Sequence, residues 1–157
     1  MRTSKLSLRT IVTLLAFVLC QFGCGRSDSG LLSVFKTDAL VRAAGISQGA
    51  IVQKTNKRDD LTSSSSIGSF CEFDIRLSSG TCGQFLTNYQ AEVVKTLTSK
   101  GASITSYEAP PGGLDAVEGV FRYLYTQSQT KGIVRVIWGT YDTNHYAMTV
   151  VFSEFVK

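Results

Sequence analysis

The stretch VEGVFRYLYTQSQTKGIVRVIWGTYDTNHYAMTVVFSEFV (Val117–Val156) decides the fold. It reads as three long strands. In the first, Val117, Gly119, Phe121, Tyr123 and Tyr125 share a face. In the second, Val134, Val136 and Trp138 oppose Ile133, Arg135 and Ile137. In the third, Tyr146, Met148, Val150 and Phe152 oppose Ala147, Thr149 and Val151. A period of two is the mark of a strand, because successive side chains point to opposite faces. SQTKG and DTN are short enough to be hairpin turns, so the segment is a β-meander.

Upstream, FCEFDIRLS (Phe70–Ser78) alternates in the same way, with Cys71, Phe73, Ile75 and Leu77 on one side. QFLTNYQAEVVKTLTSKG then changes period: Leu86, Tyr89, Val93 and Leu97 recur at helical spacing, which predicts a helix over 83–99 ended by Gly101. Leu32, Phe35, Ala39 and Ala43 predict an earlier helix over 31–44. A short strand is expected at Ala50–Lys54, a loop through the serine-rich NKRDDLTSSSSIGS, and a short strand at ASITSY before the break at APPGG. The sum is a single α+β domain over 31–157. Its expected core is an antiparallel sheet of four to six strands ending in the meander, with one or two helices packed on one face.

The N-terminus follows different rules. MRTSKLSLRT is basic and polar, and IVTLLAFVLC (Ile11–Cys20) is a ten-residue apolar run. About 20 such residues are needed to span a bilayer. A charged start with a short apolar run is the pattern of an export signal. The formal charge of +4 belongs largely to this segment. Taking Arg2, Lys5 and Arg9 from the 16 basic residues leaves 13 against 12 acidic ones, or +1. No basic stripe remains for phosphates, which speaks against nucleic acid as a partner.

Gly23-Cys24 resembles the lipobox of bacterial lipoproteins, in which the Cys becomes the new N-terminus and carries lipid. The resemblance covers residues 1–24. It implies that residues 1–23 are a cleaved signal peptide, that Cys24 is lipidated, and that residues 24–30 tether the domain to a membrane of the cell envelope on its periplasmic side. Six residues, GRSDSG, reach roughly 20 Å. Gly25 stands where an Asp would signal inner-membrane retention in the family, which favours the outer membrane slightly. Gly23-Cys24-Gly25 also suits ordinary signal cleavage.

With Cys20 removed and Cys24 acylated, Cys71 and Cys82 remain. An even count in an oxidising compartment points to one disulfide, stabilising by about 3 kcal/mol for a loop of this size. The alternative concerns SGTCGQFLTNY. A cysteine at a helix start favours thiolate, and the segment loosely resembles the nucleophile segment of NlpC-type cell-wall peptidases. That likeness implies Cys82 as nucleophile and His145, the single histidine, as base.

One His and two separated Cys do not make a zinc shell, and no motif calls for a cofactor. The meander aromatics either fill the core or present a binding face; Tyr123, Tyr125, Trp138 and Tyr141 are the candidates for the face. The sequence thus points to a membrane-anchored envelope lipoprotein acting as a non-enzymatic binding or assembly module, with an envelope protein or cell-wall ligand as partner. The alternative is a Cys–His hydrolase acting on cell-wall material.

Overall fold

The long central helix, the 18 residues Cys82–Ser99, is preceded by two shorter ones. A computed structural model describes residues 30–46, 51–63 and 65–156, with the side chains of 51–60, 62 and 156 left aside. Helices α1 (Leu31–Phe35) and α2 (Ala39–Ile46) lead into strands β1 (Ile51–Thr62) and β2 (Ser66–Leu77). The central helix is therefore α3 (Cys82–Ser99), followed by β3 (Ser103–Glu108), β4 (Glu118–Gln127), β5 (Thr130–Asp142) and β6 (His145–Val156).

α3 starts where the Thr81 side chain accepts the backbone N–H of Gln84 at 3.2 Å, satisfying one of the helix's orphan donors. It stops at Gly101, whose φ of 79° suits glycine. There Ala102 N–H donates to Leu97 O at 2.9 Å and Gly101 N–H to Thr98 O at 3.0 Å, a Schellman closure. Between the caps, Phe85, Leu86, Tyr89, Val93 and Leu97 are all buried. The helical period read from the sequence is therefore the face that meets the sheet.

The single helix expected over 31–44 is two. Thr37 and Asp38 break it by offering the backbone local partners. The Thr37 hydroxyl donates to Val34 O at 2.8 Å and accepts from Ala39 N–H at 3.3 Å. Asp38 O accepts Arg42 N–H, and its carboxylate pairs with Arg42 Nε at 2.7 Å, which starts α2. The break lets α1 deliver Phe35 to β6, where it stacks on Phe152 at 4.9 Å, while α2 packs against α3.

The sheet is one antiparallel layer of order β1-β2-β6-β5-β4-β3. The meander β4-β5-β6 forms as expected, and β2 lies against the far side of β6. The connection from β2 to the edge strand β3 runs through α3, which covers the sheet between. The predicted loop NKRDDLTSSSSIGS is instead most of a hairpin. β1 continues to Thr62 and pairs with β2 as far as Thr62↔Ile67. The turn is closed by Ser63 N–H to Ser66 O at 2.8 Å and by the paired hydroxyls of Ser63 and Ser66 at 2.7 Å. An edge strand holds its place by backbone ladder bonds, which any side chain permits, so polar composition concealed it.

The core lies between one face of the sheet and the helices. Phe73, Ile75, Phe121, Tyr125, Val134, Val136, Tyr146, Met148, Val150 and Phe152 meet Leu31, Phe35, Leu86, Val93 and Leu97. Two glycines make room for large rings in it. A Cβ on Gly119 would fall 2.4 Å from the Trp138 ring, and one on Gly132 2.2 Å from the Tyr125 ring. Tyr125 lies across Gly132 and reaches the buried Glu154, donating its hydroxyl to Oε1 at 2.8 Å. That bond supplies a partner for a carboxyl group that would be costly to bury alone.

Candidate binding face

The helices cover one face of the sheet, and among the described residues none packs on the other. Three cross-strand rows build that open face. The central row runs Glu108–Arg122–Arg135–Val151–Phe70 across β3, β4, β5, β6 and β2. On one side lies Val120–Ile137–Thr149–Glu72, and on the other Leu124–Ile133–Ser153–Gly68. Val120 and Ile137 are each 40% exposed, Leu124 37% and Phe155 49%. Isolated apolar residues at a surface need no explanation, but a contiguous set on one sheet face marks an interaction surface.

The charge arrangement in the central row is unusual. Arg122 and Arg135 are direct cross-strand partners. Like charges so placed destabilise a sheet. Glu108 neutralises one of them, with its Oε1 2.5 Å from Arg122 Nη2. Arg122 Nε is buried without a partner. Arg135 forms no ion pair among the described residues. Two shallow hollows meet at Arg135. One, of about 520 Å³, is walled by Glu108, Pro111, Val120, Arg122 and Ile137; the other, of about 390 Å³, by Leu124, Lys131, Ile133, Val151 and Phe155.

The expected binding aromatics are mostly elsewhere, which corrects the sequence reading. Tyr123, Tyr125 and Trp138 are buried on the helix-covered face. Tyr107 stacks on Tyr123 at 4.8 Å, and Trp138 donates its indole N–H to Ala116 O at 3.1 Å. The space left by the missing side chain of Gly119 is filled by the Trp138 ring. Only Tyr141 is exposed, at 68%. It is the extra residue where the β5–β6 register shifts between Thr140 and Asp142.

The disulfide expected between Cys71 and Cys82 is not found; both are buried and not bridged to each other. β2 continues six residues past Cys71 before it ends, roughly 20 Å of strand. The chain then turns, and Cys82 starts α3 beyond that end, its N–H donating to Thr143 O. Cys71 points its thiol at Phe35 O, 3.7 Å away, whereas the Cys82 thiol faces Asp142 O at 3.9 Å.

Nor are Cys82 and His145 brought together. His145 Nε2 meets Asp74 Oδ1 at 2.7 Å on the open face, and the ring lies 4.6 Å from that of Tyr141. The next residue, Tyr146, points to the other face and packs on Phe85 of α3, the side on which Cys82 sits. Burial, then the nearby Asp142 carboxylate, push the Cys82 thiol up to about 11, although its own backbone N–H at the helix start acts the other way. Desolvation wins over the helix terminus. The arrangement holds a protonated thiol at neutral pH, and His145 is not placed to take its proton.

Among the described residues no group of three His, Cys, Asp or Glu is placed to hold a metal ion, and no helix is long and apolar enough to cross a membrane. Cys24, the expected lipidation site, and residues 1–23, the expected signal peptide, lie outside the described residues. Comparison with known proteins finds no matching family model, no similar curated protein and no similar solved structure.

The residues missed from the sequence are Val120, Arg122, Leu124, Ile133, Arg135 and Ile137. Their signal was present: each strand of the meander carries large apolar residues on both sides. A strand covered on only one side does not require that.

Proposed function

We propose that this chain is a lipid-anchored protein of the bacterial cell envelope, tethered through Cys24, that acts as a non-enzymatic binding or assembly module. The partner docks on the open sheet face. The observation that carries the reading is the uncovered set Val120, Leu124, Ile133, Ile137, Val151 and Phe155 flanking two opposed arginines. Such a face is expensive to leave in water and is arranged as interfaces are, with an apolar body and an arginine near its centre. The export pattern and Gly23-Cys24 support a periplasmic place for it, with the outer membrane favoured.

The experiment introduces Ile137→Asp and Val120→Asp separately into the full chain and follows proteins crosslinked to it in intact envelopes. Both positions are 40% exposed, so thermal midpoints should stay near that of the unmodified chain. Each should lose the crosslinked species that the unmodified chain yields. Folded variants that keep it would remove the open face from the account.

A further inference from the structure

Arg122 and Arg135 give the open face a specific chemistry. They oppose each other directly, which places their Cβ atoms roughly 4.5–5.5 Å apart. Between them they face one carboxylate, Glu108, which occupies Arg122 alone. Arg122 Nε has no acceptor. The pair therefore has more donors than acceptors, in a half-exposed surface whose flanking side chains are largely apolar. Guanidinium groups match carboxylate oxygens two bonds at a time, so the missing group is an acid.

The surroundings narrow the source of that acid. Arg135 lines both hollows, and each hollow is the size of one or two apolar side chains with room to spare. A chain bearing an acid between apolar residues would lay the acid on the arginines and the neighbours in the hollows. An anionic membrane surface fits less well. Clusters of four to eight basic residues without acids among them serve that purpose, whereas here Arg76, Arg122, Lys131 and Arg135 share the face with Glu72, Asp74, Glu108 and Glu118, so the basic charge is matched by acids.

We propose that Arg122 and Arg135 together form a receptor for an Asp or Glu side chain of a partner polypeptide whose apolar neighbours seat in the two hollows. This rests on the docking reading above and names the chemistry of its partner.

The test screens a displayed library of random decapeptides against the full chain in detergent, then measures binding of the enriched peptides made synthetically. Enriched peptides should carry Asp or Glu beside an apolar residue. Replacing that acid by its amide, or Arg135 by Gln in the protein, should each weaken binding by roughly tenfold or more, the value of a charged hydrogen bond. Arg135→Gln should leave the thermal midpoint unchanged or higher, since it relieves a like-charge pair; a marked fall would mean that Arg135 is structural and overturn the proposal. Failure to enrich any peptide, or enrichment of peptides without an acid, would overturn it too. So would binding to phosphatidylglycerol vesicles, or self-association in sedimentation, that Arg135→Gln abolishes while peptides have no effect. If Ile137→Asp removes the envelope crosslink and Arg135→Gln does not, the docking face stands and the acid receptor falls.

Discussion

Arg122 and Arg135 stand directly opposite each other on β4 and β5, on the face that the helices leave uncovered. A sheet built only for stability would place an acid at one of those positions. Arg135→Glu should therefore raise folding stability, by about 0.2–1 kcal/mol, as read from denaturant midpoints. The same change should eliminate partner recovery. Stability and function are expected to move in opposite directions, and a loss of both would assign the pair a structural role.

The cysteines give a second expectation. With Cys71 and Cys82 unbridged, the thermal midpoint should be the same with and without reductant, and denatured protein should titrate two thiols for these positions. Before denaturation neither should react readily at neutral pH, because both are buried and Cys82 titrates at about 11. A reductant-dependent midpoint would restore the bridge.

The same thiol sets an alkaline limit. Cys82 in the fold holds its proton above the usual value of 9.0, and burial likewise raises Tyr89, Tyr125 and Tyr146 above 10.0. The native state then binds more protons than the unfolded state once pH passes 9. Stability is intact below pH 9 and falls as pH rises towards 11. Denaturant midpoints measured between pH 8 and 11 should decline, and Cys82→Ala should flatten the early part of that decline.

Packing supplies the fourth. Phe152 stacks on Phe35 and lies 6.3 Å from the Tyr125 ring, fully buried, so Phe152→Ala should cost about 3–5 kcal/mol. Thr81→Ala removes the α3 cap and should cost about 1 kcal/mol. Tyr141→Ala, at an exposed bulge, should stay within about 0.5 kcal/mol of the unmodified chain. Urea unfolding would rank the three.

The meander and α3 were legible because their periods are clean: every residue placed on the Phe121–Tyr125, Val134–Trp138 and Tyr146–Phe152 faces is buried. Which face the helices would choose was not legible. Ile133, Ile137 and Val151 make the opposite face nearly as apolar, and only tertiary contact with α1 and α3 breaks the tie. Tyr125, with an apolar body and a polar hydroxyl, suits a binding face as well as a core. Its true partner, Glu154, lies on another strand, and Gly132 provides the space between them. The cysteine pairing failed for a similar reason: ten intervening residues say nothing of how far β2 runs before the chain turns. β1 was legible only as far as Lys54; its continuation to Thr62 was hidden because backbone ladder bonds carry no side-chain signature.

The most direct measurement of the central claim is site-specific photocrosslinking in intact envelopes, with the reactive group at position 137 on the open face or at position 95 on the outer side of α3. The account predicts a discrete adduct from position 137 and none from position 95. An adduct from position 95 alone, or none from position 137 in folded protein, would contradict it.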